Sequence, residues 1–204
     1  MILEKTIWRF FDKGRRDMST YPIEVAGLRR ELPICKVTDD LYIAAFIVFG
    51  DAELTVACAR ELLKLVPADS YDYMLTAEAK SIPLIHEMAR QSGAEKYFIA
   101  RKGPKAYMPD PIHVTDKSIT TAGEQKLFLG RDDADLIRGR RILLMDDVIS
   151  TGGSLHAMEA LVAMAGGTVT GRVAVLAEGD AQNRPDISFL APLPVFSADG
   201  TVKG

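Results

Sequence analysis

The sequence predicts an α/β fold. It reads as a mostly parallel, twisted sheet with helices on both faces, a small N-terminal subregion over residues 1–36, a core domain over residues 37–204 and a flexible loop over about residues 102–138. Two observations carry this expectation. Short, wholly apolar runs alternate with longer helical patterns, which is how strands buried on both faces and their crossover helices read. Glycines and prolines stand where one kind of run gives way to the next. A chain of 204 residues fits one domain, and its 48% hydrophobic content is ordinary for a globular core.

The elements follow in order. Residues 1–36 are mixed, with an apolar stretch (Ile7, Trp8, Phe10, Phe11), a basic pair (Arg15, Arg16) and the run Val25-Ala26-Gly27-Leu28-Arg29-Arg30. Leu41–Phe49 is aromatic and β-branched and reads as a buried strand. Asp51 caps a helix that runs to about Val66, where Pro67 stops it. Tyr71–Thr76 reads as the next strand. Ser81–Gln91 reads as a helix, with Ser81 as N-cap, Pro83 in the first turn and Gly93 as the C-terminal stop. Tyr97–Ala100 is a third strand. Between Lys102 and Arg138 the pattern loosens around Gly103, Pro104, Pro109 and Pro111, with short extended pieces at Ile112–Val114 and Lys126–Leu129. Regularity resumes in the strand Ile142–Met145, the helix Ser154–Ala165 and the strand Val173–Ala177. The tail from Asn183, with Pro185, Pro192 and Pro194, fits a final strand and cover.

Composition excludes several classes of function. The formal net charge is −3 and charged residues make up 26%, so no general field attracts nucleic acid. Any bound anion must be gripped locally. The two cysteines, Cys35 and Cys58, sit in apolar surroundings and read as buried free thiols. Glu4 and Lys5 interrupt the first apolar residues, so no secretory leader is expected. No run reaches the ~18 apolar residues of a membrane span. These features predict a soluble, cytoplasmic protein. His86, His113 and His156 are scattered without metal-ligand spacing.

The chemistry concentrates in Ile142-Leu143-Leu144-Met145-Asp146-Asp147-Val148-Ile149-Ser150-Thr151-Gly152-Gly153-Ser154. An apolar strand emerges into two carboxylates, and a two-glycine turn then opens a helix. Ligands of open α/β sheets bind at the carboxyl ends of strands. Glycines let backbone N–H groups approach an anion, and the helix N-terminus adds partial positive charge. Ser150, Thr151 and Ser154 add hydroxyls, completing a phosphate-monoester site. Asp146 and Asp147 suit a vicinal diol, directly or through hydrated Mg²⁺. A diol one sugar-length from a phosphate describes ribose 5-phosphate.

This segment resembles the signature of type I phosphoribosyltransferases, which bind 5-phosphoribosyl-1-pyrophosphate (PRPP) with Mg²⁺ on a Rossmann-like sheet. The resemblance implies that Asp146 and Asp147 hold the ribose hydroxyls. It also implies that Ser150, Thr151, Gly152, Gly153 and Ser154 cradle the 5-phosphate. Thr76-Ala77-Glu78-Ala79-Lys80-Ser81 falls where the family places a pyrophosphate loop, with Glu78, Ala79 and Lys80 as its binding residues. Arg101-Lys102-Gly103-Pro104-Lys105 resembles a basic stretch of adenine phosphoribosyltransferases with Gly and Pro exchanged. Arg101, Lys102 and Lys105 would face the leaving pyrophosphate.

The family's catalytic flap would fall at Tyr107–Asp135. Thr120, Thr121, Glu124 and Lys126 are its candidates to close over PRPP, with Glu124 as the acid/base. Ser150 stands where the hypoxanthine–guanine branch carries Asp, which argues against that branch and fits the orotate and adenine branches, whose residue there is small. Val25, Ala26 and Arg29 fall where the family builds a hood over the base. The resemblance further implies a homodimer, with Mg²⁺ bound mainly through PRPP and in part through Asp146 and Asp147. The competing expectation is a PRPP-sensing regulator without turnover, which needs a nucleic-acid-binding element.

Overall fold

The computed structural model describes residues 20–116 and 125–203. Its centre is a five-stranded sheet in the order β10-β9-β8-β4-β5, with β4 Tyr73–Ala77, β5 Phe98–Ala100, β8 Arg141–Ile149, β9 Thr168–Glu178 and β10 Ser188–Leu193. Every pairing in it is parallel. Four helices serve this sheet: α1 Ala52–Lys64, α2 Ile82–Ser92, α3 Arg131–Ile137 and α4 Gly153–Ala165.

The period-two alternation of β8 explains the layering. Leu143 and Met145 pack in one core with Leu54, Cys58 and Leu62 of α1 and Leu84, Ile85 and Met88 of α2. Ile142 and Leu144 point the other way, into a second core with Ile137 of α3 and Leu155, Met158, Leu161 and Val162 of α4. All four β8 residues are at most 1% exposed. A strand covered on both faces must be apolar at every position, and this one is until it reaches the site.

The helix ends follow the expected signals. Asp51 caps α1 by accepting from the Leu54 amide at 3.0 Å, and Arg30 clamps the same carboxylate at 2.6 and 3.1 Å. Gly93 ends α2 at φ 76° and Gly166 ends α4 at φ 81°, both left-handed.

A second sheet runs β1-β2-β3-β11-β12, with β1 Thr20–Val25, β2 Leu28–Lys36, β3 Tyr42–Ala44, β11 Val195–Phe196 and β12 Val202–Lys203. Its pairings are antiparallel. The two-residue turn Ala26-Gly27 (φ 53° and 76°) closes the first hairpin. This sheet joins residues 20–36 to Tyr42–Ala44 and to strands near the far end of the chain. The tail is thereby assigned: β10 extends the parallel sheet, while β11 and β12 complete the antiparallel one.

Three elements differ from expectation. Of Leu41–Phe49, only Tyr42–Ala44 is strand. Beyond it, Phe46 and Val48 are buried while Ile47 and Phe49 are half-exposed, so the in–out alternation continues without a ladder. Helix α3 lies inside the stretch expected to be a loop, capped at Gly130 with Asp132 and Asp133 in its first turn. β8 runs on to Ile149, so Asp146 and Asp147 sit within the strand. The extended pieces expected near 112 and 126 form an antiparallel ribbon, β6 Ile112–Asp116 with β7 Gln125–Leu129, packed against α4. Glu124, Thr120 and Thr121, with the apolar and basic residues noted near the N-terminus, lie outside the described residues.

Candidate active site

Three segments distant in sequence meet at the carboxyl end of β8. Asp147 continues the Leu143–Met145 face and reaches the start of α2, while Asp146 shares the α4 face. Ser81, at the N-cap of α2, makes no capping bond. Its hydroxyl instead donates to Asp146 Oδ1 at 2.7 Å and accepts from the Asp147 amide at 2.8 Å. That amide also lies 2.9 Å from Asp146 Oδ1. Lys80 Nζ meets Asp147 Oδ2 at 2.7 Å. Asp147 is buried, and its Oδ2 has the ammonium as an ion-pair partner but no hydrogen bond among the described residues. Asp146 is held well above the usual carboxylate range, first by burial and then by the like charge of Asp147, with Ser81 opposing.

After β8 the chain turns through Ser150, Thr151, Gly152, Gly153 and Ser154 into α4. Together with Asp146, Val148, Ile149 and Leu155 these residues line a cavity of about 110 Å³. Gly152 is left-handed at φ 84°, and a Cβ there would stand 2.6 Å from Arg184 Nη1. The left-handed backbone favours glycine, and a Cβ would also make the end of the Arg184 side chain shift. The first turn of α4 leaves its amides without helical acceptors, which suits an anion.

The predicted pyrophosphate segment lies beside the acidic pair. The Glu78–Ala79 peptide is cis, and the Glu78 amide donates to Ala100 O at 2.8 Å. Arg101 Nε stands 3.0 Å from Glu78 Oε2, and the Lys102 amide donates to that oxygen at 3.0 Å. Burial pushes the Glu78 carboxyl up, but the Lys102 amide, Arg101 and Lys105 together outweigh it and hold the group below its ordinary value. Arg101 also bridges to Phe128 of β7, which ties the basic stretch to the ribbon.

A second cavity, of about 290 Å³, adjoins the turn through Val148 and Ser150. Ala45, Phe46, Ile47 and Leu193 wall it, with Lys80 and Glu178 at its edge.

Comparison with known proteins can now be set against this geometry. An adenine phosphoribosyltransferase of Thermoanaerobacter pseudethanolicus has a similar structure, with a TM-score of 0.59, 20% identity and coverage of 85% of this chain and 95% of that one. The fold is that of the type I phosphoribosyltransferases. In sequence, the adenine phosphoribosyltransferase of Mycolicibacterium paratuberculosis is 41% identical over 97 residues, 48% of this chain and 50% of that protein. The chain thus spans about half the length of this curated relative. The Corynebacterium diphtheriae adenine phosphoribosyltransferase is 29% identical over 154 residues, covering 76% of this chain and 80% of the relative. No protein-family model matches the chain.

The phosphoribosyltransferase fold brings together most of the residues singled out from sequence: Asp146, Asp147, the turn 150–154, Glu78 to Lys80, and Arg101 with Lys102 and Lys105. It does not bring Val25, Ala26 and Arg29 to them. Val25 is core, and Arg29 pairs with Glu31 on an exposed edge at 3.4 Å. Ala26 lines a separate groove with Ala52, Val56 and Ala57 of α1. These three expected base neighbours therefore stand apart from the acidic pair and the turn 150–154, because the Ala26-Gly27 turn points its hairpin toward α1. The groove beside the phosphate turn is walled instead by residues 43–47.

Two residues at the site go beyond the sequence expectations: Ser81, which reads in sequence as an ordinary cap, and Glu178. Glu178 closes the apolar run of β9, much as Asp146 and Asp147 follow the apolar run of β8. Among the described residues no group of three or more His, Cys, Asp or Glu side chains can hold a metal by itself, and no helix is long and apolar enough to cross a membrane.

Proposed function

We propose that the chain transfers ribose 5-phosphate from PRPP to a purine base, adenine in preference, and releases pyrophosphate. The observation that carries this reading is the junction of Lys80 and Ser81 with Asp146 and Asp147 beside a glycine-opened helix N-terminus. In this reading the cations beside Glu78 would take a diphosphate, the acidic pair a ribose diol and the glycine-opened turn a phosphate monoester. The names of the curated relatives favour adenine.

In this reading the 5-phosphate sits in the turn 150–154, held by amides, hydroxyls and the α4 dipole. Asp146 and Asp147 accept hydrogen bonds from the ribose hydroxyls and fix the ring. Lys80, Arg101, Lys102 and Lys105 face the diphosphate and stabilise the charge that develops as it leaves. The C1 oxygen bond breaks with its electron pair going to pyrophosphate, and a ring nitrogen in the 290 Å³ groove bonds to C1. That nitrogen loses its proton to solvent or a nearby base. Phe46 and Ile47 keep water from the reacting carbon.

The acidic pair supplies only two carboxylates, so Mg²⁺ would be held mainly by the donor's own diphosphate and hydroxyls, with Asp146 and Asp147 assisting. When bound, it neutralises the departing diphosphate. The same reading includes a cytoplasmic homodimer, which light scattering tests. Pyrophosphate release from PRPP, measured with a panel of adenine, guanine, hypoxanthine, xanthine and orotate, decides the activity. Release with adenine fastest is expected, and release with none of the bases would overturn the proposal.

A further inference from the structure

We infer that Glu178 selects the base, by accepting a hydrogen bond from an exocyclic amino group and so favouring amino-purines over oxo-purines. The inference rests on the proposal that the groove beside the phosphate turn is the base site.

Glu178 ends β9 at 9% exposure, beside apolar walls built by Phe46, Ile47, Val148 and Leu193. A carboxyl in such a place is costly unless something satisfies it. Among the described residues no Arg or Lys forms an ion pair with it. Burial pushes its carboxyl above the ordinary value, and only a hydrogen bond from Ser150 and the more distant Lys80 charge oppose this.

The other polar groups of the groove are already engaged. Lys80 is committed to Asp147 at 2.7 Å, and Ser150 belongs to the turn that would hold the 5-phosphate. A carboxylate has about four lone-pair positions, so Glu178 keeps capacity to accept after Ser150 is counted. It is the one side-chain carboxyl lining the groove, and it faces the space a planar base would fill.

The selection follows from donor and acceptor chemistry. An amino group donates into the carboxylate. An oxo group in its place sets an acceptor against an acceptor, and a bare C–H leaves the carboxylate unpaired in an apolar wall. A site built to hydrogen-bond one substituent rejects analogues lacking it by large factors, because its own buried group is then unsatisfied.

Two measurements test this. In the unaltered protein loaded with PRPP and Mg²⁺, equilibrium binding of adenine is compared with that of unsubstituted purine. Adenine is expected to bind at least ~10-fold more tightly, and equal affinities would overturn the inference.

The second measurement uses Glu178→Gln, whose amide can donate as well as accept. Its adenine-over-hypoxanthine ratio of kcat/KM should fall at least ~10-fold, while the thermal shift caused by PRPP is kept. A kept PRPP shift with an unchanged base ratio refutes the role of Glu178 alone. Loss of the PRPP response in the unaltered protein would strike the phosphoribosyl reading itself and take this inference with it.

Discussion

Gly152→Ala is the sharpest perturbation the site offers, because two separate features of one position set its effect. Gly152 holds φ 84°, where an L-residue costs about 1–2 kcal/mol. The added Cβ would also stand 2.6 Å from Arg184 Nη1, a contact that cannot persist. Arg184 is pinned by Asp186 at 3.0 and 2.7 Å, so it yields only by giving up part of that pair. The backbone cost alone predicts a melting temperature lower by roughly 2–8 °C, at ~2–4 °C per kcal/mol for a chain of this size. PRPP affinity should fall further, since the amides that would meet the phosphate flank the displaced residue.

The double variant Gly152→Ala/Arg184→Ala separates the two causes. It removes the collision but not the dihedral cost, so it should recover part of the PRPP affinity and leave a deficit of about 1–2 kcal/mol in stability. Thermal denaturation with and without PRPP and Mg²⁺ reads both quantities. If Gly152→Ala binds PRPP like the unaltered protein, the turn is not the phosphate cradle.

Three further outcomes are expected. Leu144→Ala, in the core under α4, should cost ~2–5 kcal/mol in urea unfolding, and a smaller loss would mean that β8 is not the central buried strand. Asp147→Asn should weaken PRPP binding and loosen Lys80 while the urea midpoint moves little, and unchanged PRPP affinity would refute the role proposed for Asp147. Asp146 titrates above its ordinary value, so the free fold binds an extra proton there and loses stability as pH rises from the ordinary carboxylate range through that raised pKa. Ribose hydroxyls and Mg²⁺ favour the ionised carboxylate, so PRPP affinity should rise over the same interval with release of a proton. Calorimetry in buffers of different ionisation enthalpy measures this release, and none would be seen if Asp146 lay away from the ligand.

The parallel sheet and the glycine turn after β8 were legible because each rests on a local rule. An apolar run buried on both faces marks β8 wherever it falls, and the first glycine of the turn answers to the left-handed backbone at Gly152. What stayed hidden depends on tertiary placement. Nothing near Ser81 in sequence reveals that its hydroxyl serves Asp146, 65 residues away, in place of its own helix. Residues 45–48 carry a strand pattern, yet the ladder stops after the Ala45 amide donates to Pro33 O at 2.9 Å, and residues 45–47 wall the groove. Val25, Ala26 and Arg29 were placed near the base by analogy of position, and the two-residue turn between β1 and β2 takes them to α1 instead. Helix α3 was obscured by the prolines and glycines that precede it.

A crystal structure grown with PRPP and Mg²⁺ tests the central claim most directly. The account predicts the donor's phosphate on the backbone amides near Gly152 and Gly153, both ribose hydroxyls on Asp146 and Asp147, and the diphosphate beside Lys80 and Arg101. A donor bound elsewhere, with those carboxylates turned from the sugar, would contradict it.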